Sequence, residues 1–251
     1  MPTSPIGRRP RVVCHMAASL DGRIVVDGWP ESVAVAVRRE YEHLHGSYEA
    51  DGWICGRVTM EPFARRTRSE AEVAREYSGT TAREDFRAPG DFETFAFAID
   101  PSGRLAWETN DIDGDHVVAI LSEQISDEYL AFLRGRGVSY LLAGTRDPSA
   151  GSGQAVDLRL AMEKIGSRFG VKTLMLEGGG RINGSMLAAG LIHEVSVLVA
   201  PAVDGRVGTP ALFDLQGDTA QSSRLVLEHV EQRRDDVLWL RYRVEAWSNG
   251  D

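Results

Sequence analysis

The segment with the clearest chemical potential runs from a short apolar stretch, residues 172–176, into Glu177 and three glycines, Gly178, Gly179 and Gly180. Glycine lets the backbone turn tightly and approach a ligand closely, and the helix predicted after it would direct its N–H groups toward an anion such as a pyrophosphate. The alternative is a tight strand-to-helix turn without a ligand. The spacing differs from G-x-G-x-x-G, so it does not indicate an ordinary Rossmann unit.

Glu177 is a candidate in its own right, because it is the residue on which the predicted strand ends. A carboxylate at the carboxyl edge of a sheet is well placed to accept hydrogen bonds from a substrate amine or amide. It would also be able to cap the following helix. The residues alone leave both interpretations open.

Two further segments follow apolar strands and carry polar groups. After the first strand, Asp21 and Gly22 form a turn signal, so this segment alone does not distinguish a binding site from a turn. A later strand ends at Gly56, which allows a ligand to approach the backbone closely. It is followed by Arg57, whose guanidinium suits a phosphate, and by Thr59, whose hydroxyl can donate a hydrogen bond. This pattern is weak by itself, because any solvated arginine after a strand matches it.

The elements that must position these residues are short apolar, β-branched runs, which predict strands along the whole chain. The predicted strands cover residues 12–17, 53–56, 94–99, 116–121, 138–143, 172–176, 194–200, 224–230 and 237–244. A polar turn joins the last two, which predicts an antiparallel hairpin. Helical spacing predicts helices over residues 33–45 and 158–169, the second with Asp157 as its N-cap. Strands that alternate with helices indicate an α/β protein with a mixed sheet.

The composition excludes several classes of protein. There are 28 Lys and Arg against 37 Asp and Glu, a net charge of −9, which argues against a protein that binds nucleic acid by neutralising its phosphates. Apolar runs long enough to span a bilayer and the apolar stretch of a signal peptide are both missing, so we expect a cytoplasmic protein without membrane contact. Cys14 and Cys55 lie in apolar runs and are predicted to be reduced and buried. Zinc-ligand spacings are absent, and no metal is expected.

The histidines give a weaker signal. His43 and His45 lie two residues apart on the predicted helix and therefore on different faces, and His15 lies in a strand. The chain order supports no Ser-His-Asp arrangement. We interpret each of these histidines as structural or exposed.

Taken together, the candidate segments resemble one family, the reductase domain of bacterial riboflavin biosynthesis with its dihydrofolate-reductase-like relatives. The resemblance rests on residues 19–24 (SLDGRI), on residues 51–59 (DGWICGRVT) and on residues 177–195, which begin with EGGG and end with AGLIHEV. It continues to Ala200-Pro201 and Gly205. It covers most of the chain, and the order of several motifs is more specific than any single run of glycines.

The resemblance implies a dihydrofolate-reductase-like α/β fold of three layers, α/β/α, whose mostly parallel central sheet ends in an antiparallel hairpin. It implies a single reductase domain over residues 11–248 after a disordered tail, residues 1–10. The cofactor would be NADPH, because Arg57 with Thr59 resembles the segment that dihydrofolate reductases use near the 2′-phosphate. The nicotinamide would supply hydride to a pteridine-like or diaminopyrimidine substrate.

The resemblance also implies roles for individual residues. Those expected to bind the cofactor are Ala17, Gly56, Arg57, Thr59, Gly178, Gly179, Gly180, Arg181, Ile182 and Asn183. Those expected to bind the substrate are Ser19, Trp29, Glu177, Arg65 and Arg66. Trp29 is expected in an exposed loop that forms a lid with Pro30, and Glu177 and Asp21 are the expected catalytic residues.

One departure from the family concerns the substrate. The riboflavin-pathway reductases carry an Asp-Asp-Pro stretch after the threonine, whereas residues 59–68 read TMEPFARRTR. Arg65, Arg66 and Arg68 are candidates for a phosphate contact, although three arginines in a polar loop also fit a solvated surface.

The resemblance implies reduction of 5-amino-6-(5-phosphoribosylamino)uracil in riboflavin biosynthesis. Two alternatives stay open: reduction of dihydrofolate or a dihydropterin, and NADPH binding without catalysis. By the same resemblance we expect a homodimer, with the final strand, residues 237–244, as the sheet edge through which two copies pair.

Overall fold

The structure, a computed structural model, describes residues 9–64, 80–144, 156–215 and 222–245. The chain groups into two compact units: a middle unit, Asp51–Leu174, and a terminal unit made of Arg11–Ala50 and Met175–Asp251. The tail predicted over residues 1–10 lies outside the described residues except for its last two. The single domain predicted over residues 11–248 stays a prediction.

The terminal unit begins with a buried strand and the helix that packs on it. Its elements are β1 (Arg11–Ser19), α1 (Glu31–Ser47), β8 (Glu194–Ala200), β9 (Leu225–Gln232) and β10 (Leu238–Val244). β1 pairs in parallel with β8, β8 pairs antiparallel with β10, and β10 pairs antiparallel with β9. The predicted antiparallel hairpin at the end of the chain is confirmed.

Parallel strands form the middle unit. β2 (Gly52–Gly56), β3 (Phe95–Ile99), β5 (Asp115–Leu121) and β6 (Ser139–Leu142) pair in this order, and the short β4 (Asp111–Ile112) runs antiparallel to β5. β3 reads FAFAI and is buried at every position, as expected of a parallel strand that is covered on both faces.

Local sequence explains the helices of the middle unit. Among the described residues of this unit, they are α2 (Arg57–Ala64), α3 (Asp127–Gly135) and α4 (Leu158–Lys164), which continues as a π-helical turn, Ile165–Phe169. The carboxylate of Asp157 accepts the N–H groups of Arg159 and Leu160, which confirms the predicted N-cap. Gly170 ends the π turn with φ 75°, a conformation that favours glycine.

All nine predicted strands are present. The remaining one of them, β7 (Thr173–Leu176), lies where the middle unit ends and the terminal unit resumes. Cys14 and Cys55 are buried as predicted, and they form no disulfide. The helices that the structure describes are too short or too polar to span a bilayer.

The position of the last strand corrects one expectation. β10 pairs on one side with β8 and on the other with β9, so it is not the sheet edge that we predicted. Among the described strands of the terminal unit, β9 is the outer one. A hairpin signal predicts that two strands pair, but it does not say which of them pairs with a third strand.

Two glycines of helix α5 (Gly180–Ala188) lie in close contact with the backbone of residues 211–215. A Cβ atom on Gly184 would lie 2.6 Å from the carbonyl oxygen of Asp214, and one on Gly180 would lie 2.1 Å from that of Ala211. The N–H of Asp214 donates to the carbonyl oxygen of Gly180 at 2.9 Å. These glycines therefore leave room for a neighbouring piece of backbone.

We expect Gly184→Ala to lower the free energy of unfolding by about 1–3 kcal/mol, because its methyl group would meet backbone atoms that cannot rotate away. Gly46→Ala is the matched control, since Gly46 lies inside α1 and nothing lies within 4 Å of its Cβ position. Alanine there should stabilise the protein by about 0.5–1 kcal/mol. Urea unfolding of both variants measures these changes, and a Gly184→Ala protein as stable as the wild type would contradict the close packing.

Candidate active site

Glu177 follows the last residue of β7, and its carboxylate is held by a histidine. The Oε1 atom of Glu177 accepts a hydrogen bond from the Nδ1 atom of His45, on α1, at 2.6 Å. The side chain of Glu177 is 12% exposed and that of His45 is 36% exposed, so the pair lies partly open to solvent. The sequence singled out Glu177, whereas we interpreted His45 as structural or exposed.

The glycine turn that follows serves two purposes. Gly178 has φ 130° and Gly179 has φ 24°, and these conformations favour glycine. Gly180 has an ordinary φ but lies against Ala211, and its missing side chain leaves space for this segment. Packing within the chain thus explains why residue 180 is glycine, and the expected cofactor contact of the three glycines stays a prediction.

The first turn of α5 contains the other residues that were expected to bind a cofactor. Arg181 is exposed and Ile182 is half-buried. Asn183 is buried, and its amide donates to the carbonyl oxygen of Leu212 at 2.9 Å, so this side chain anchors the same neighbouring segment. Among the described residues, no side chain caps the N-terminus of α5.

Asp21 fixes one loop to another. Its carboxylate accepts the hydroxyl of Ser19 at 2.6 Å and the N–H groups of Asp204 and Gly205 at 3.0 and 2.9 Å. The pKa of Asp21 lies far below its ordinary value, because first Ser19 and then these two N–H groups stabilise the charged carboxylate. A carboxylate of this kind is poorly suited to donate a proton near neutral pH.

Trp29 corrects another expectation. It is 8% exposed and packs in a cluster with Val37, Leu44 and Leu198, so its side chain lies in the core although the adjacent Gly28 and Pro30 are exposed. Ala17, which was expected to bind the cofactor, is half-buried and packs against the same cluster. Burial of the large indole ring in this apolar core stabilises the folded protein more than an exposed ring would.

The middle unit contains the remaining candidates, and they lie where β2 ends and α2 begins. Gly56 is the last residue of β2, Arg57 the first of α2, and Thr59 lies in the first helical turn. The guanidinium of Arg57 pairs with the carboxylate of Glu61 one turn along the helix. Arg57 also lowers the pKa of the buried Asp100, although burial outweighs this effect and raises that pKa overall.

Two of the predicted substrate contacts, Arg65 and Arg66, lie outside the described residues. In the ranges that the structure does describe, three or more His, Cys, Asp or Glu side chains nowhere come together in a way that could hold a metal ion.

A signal for His45 was present in the sequence. His45 lies four residues after Tyr41 and eight after Val37, so helical periodicity places it near the face of α1 that packs on the core. What the sequence did not provide was the partner, which lies 132 residues away.

Comparison with known proteins identifies the family. A model of the RibD C-terminal domain matches residues 10–239, which is most of the chain. The chain belongs to this family. The resemblance stated from the sequence is therefore confirmed.

Individual relatives of this RibD C-terminal domain agree with the assignment. The 2,5-diamino-6-ribosylamino-4(3H)-pyrimidinone 5′-phosphate reductase of Methanothermobacter thermautotrophicus is 29% identical over 243 residues, or 95% of this chain and 100% of that protein. A pyrimidine reductase-like protein from Corynebacterium diphtheriae has a TM-score of 0.62 at 17% identity, over 94% of this chain and 92% of that chain. Acinetobacter baumannii RibD has a TM-score of 0.59 at 20% identity, over 94% of this chain and 58% of that chain. The two structures confirm the predicted fold class.

We expect Asp21→Asn to lower the melting temperature at neutral pH, because an amide cannot accept all the hydrogen bonds that the carboxylate accepts. A carboxylate whose pKa is depressed by folding stabilises the protein above its unfolded pKa, near 4, and loses this contribution as the pH falls toward its folded pKa. The difference in melting temperature between wild type and variant should therefore shrink below about pH 4.

Thermal unfolding from pH 7 to pH 2.5 measures this difference. Asp91→Asn is the control, since Asp91 is an exposed aspartate of the middle unit. A difference for Asp21→Asn that stays constant with pH would contradict the role of its charge.

Proposed function

We propose that this protein is an NADPH-dependent reductase that acts on a 6-ribosylaminopyrimidine 5′-phosphate, the reaction class of riboflavin biosynthesis. The observation that carries the proposal is the carboxylate of Glu177, held by His45 directly before a turn in which Gly178 and Gly179 have positive φ. The similarity to the archaeal pyrimidinone phosphate reductase over the full length of both chains supports the same substrate class.

The proposed substrate suits a carboxylate. In a 2-aminopyrimidin-4-one, a ring N–H and the exocyclic amine lie side by side and donate in the same direction, which matches the two oxygens of one carboxylate. We propose that the carboxylate of Glu177 accepts hydrogen bonds from these two groups and thereby orients the pyrimidine. An aminouracil offers one ring N–H there and a carbonyl in place of the amine.

The backbone after β7 suits an anion. In the terminal unit, Gly178 and Gly179, with the N–H groups at the start of α5, would hold the pyrophosphate. In the middle unit, the family resemblance gives Arg57 and Thr59 the contact with the 2′-phosphate that distinguishes NADPH from NADH. When bound, NADPH would supply the hydride for the sugar C1 of the ring-opened imine, and water would supply the proton for the imine nitrogen.

Other predicted site residues receive indirect roles in this proposal. Asp21 stays ionised and orders the loop around Asp204 and Gly205, so it acts by shaping the site. Ser19 supports Asp21 through its hydroxyl. Trp29 and Ala17 support the site from the core. Arg65 and Arg66 remain candidates for the substrate phosphate.

The test is NADPH oxidation with the 2,5-diaminopyrimidinone phosphate, the 5-aminouracil phosphate and dihydrofolate side by side. We expect turnover of a ribosylaminopyrimidine phosphate, a clear preference for NADPH over NADH, and a loss of about 100-fold in kcat/KM in Glu177→Gln, because a neutral amide accepts these hydrogen bonds poorly.

Glu42→Gln is the matched control, since Glu42 is exposed on α1, and it should retain wild-type kinetics. Turnover of dihydrofolate alone would reassign the protein to pterin reduction. Binding of NADPH without turnover of any of the three would overturn the proposed reaction.

We also propose a homodimer that pairs through β9. Leu225, Leu227 and Val230 on this outer strand are exposed. An apolar strand with an unpaired side favours association with a second copy, since this removes both the apolar side chains and the backbone groups from water. The cytoplasmic location stays a prediction.

Leu227→Lys should convert the dimer to a monomer, because a charge would be buried at the interface without a partner. Val35→Lys is the control, since it places the same charge at an exposed apolar position on α1. Light scattering after size-exclusion chromatography measures the mass. A wild-type monomer, or a Leu227→Lys dimer, would contradict pairing through β9.

A further inference from the structure

His45 and Glu177 form a direct hydrogen bond between their side chains. It joins the last turn of α1 to the end of β7, with 2.6 Å between Nδ1 of His45 and Oε1 of Glu177. Glu177 is the more buried partner, so this contact replaces part of the water that its carboxylate loses on folding.

The other histidine near this carboxylate is engaged elsewhere. His15 is buried and stacks on Tyr41 with ring centroids 4.3 Å apart. Its Nδ1 lies 3.0 Å from the hydroxyl of Ser196, and its Nε2 lies 3.3 Å from the carbonyl oxygen of Tyr41. Both ring nitrogens of His15 are thus directed to other partners, whereas His45 directs its Nδ1 at Glu177.

Burial disfavours the charged forms of Cys14 and His15, the two ionisable groups on β1 that the charge of Glu177 influences. Burial, and then the negative charge of Glu177, raises the pKa of the Cys14 thiol. Burial also lowers the pKa of His15, and His45 adds to this lowering, although Glu177 opposes it. His45 is therefore the basic group that the fold brings into contact with this carboxylate.

We propose that His45 is a positioning residue that holds Glu177 in the orientation required to bind the pyrimidine, and this inference rests on the proposed function. A glutamate side chain has several rotatable bonds, and ordering them when substrate arrives costs free energy. The Nδ1–H of His45, which donates to Oε1, fixes the plane of the carboxylate before the substrate binds.

Two substitutions separate this role from a general effect on folding. His45→Phe keeps a flat ring but removes the donor, and we expect it to raise KM for the pyrimidine about tenfold while kcat and KM for NADPH change less than about twofold. His45→Asn places an amide N–H near the position of Nδ1 and should restore KM to within about threefold of the wild type. His43→Phe, at an exposed position two residues away, is the matched control and should leave all three constants unchanged.

A double-mutant cycle provides the decisive readout. If His45 acts through Glu177, His45→Phe should change KM less than about twofold in a Glu177→Gln background, because there is no carboxylate left to orient. A merely structural role would give the same factor in both backgrounds, which would overturn the proposal, as would an unchanged KM in His45→Phe.

The kinetics of the wild type and of His45→Phe distinguish an incorrect role of His45 from an incorrect proposed function. A wild-type protein that turns over the pyrimidine while His45→Phe behaves like it would overturn the role of His45 alone. A wild-type protein without pyrimidine-dependent NADPH oxidation would overturn the proposed reaction, and the role of His45 with it. Thermal unfolding and NADPH binding, followed by fluorescence, identify any variant whose kinetics change because it folds poorly.

Discussion

The backbone contacts at the two ends of β7 determine where Glu177 lies. Before the strand, the Oδ2 atom of Asp51 accepts the N–H groups of Lys172 and Thr173 at 2.7 and 2.8 Å. After it, α5 packs on the segment around Asp214 so closely that a Cβ at its first residue, Gly180, would collide with that backbone. A strand of four residues has few ladder hydrogen bonds of its own, so these contacts at its two ends add to those that hold it and the carboxylate that follows it.

Two carboxylates in the terminal unit, the buried Glu194 and the partly exposed Glu177, are held by different kinds of partner. Glu194 is held by Arg11, Arg241 and the hydroxyl of Tyr48. Burial raises its pKa, but Arg241 and Tyr48 outweigh burial, so its pKa is lowered overall. Arginine stays charged at all accessible pH values, which makes this a permanent structural contact. Glu177 is instead held by a histidine and lies partly open to solvent, where a substrate can approach it.

The sequence predicted those parts of the fold that depend on local chemistry. Buried parallel strands such as β3 are continuous apolar runs, and the side chain of Asp157 caps α4 from only two and three residues away. Local sequence patterns did not predict contacts between residues that lie far apart in the chain. The contact of His45 with Glu177 spans 132 residues, and the burial of Trp29 depends on Leu198, which the fold brings against it. The order of β9 and β10 likewise depends on which of them meets β8.

The glycines after Glu177 have different physical causes, and this bears on what a glycine run says about function. Gly178 and Gly179 are glycine because of their backbone angles, whereas Gly180 and Gly184 are glycine because another part of the same chain occupies the space of a side chain. Backbone conformation and close packing therefore explain these four glycines without a ligand. The case for a site at this turn consequently rests on Glu177, whose partly buried charge folding alone would not require. The charge and orientation of one carboxylate, more than the number of glycines, are therefore the features on which the proposed pyrimidine reduction depends.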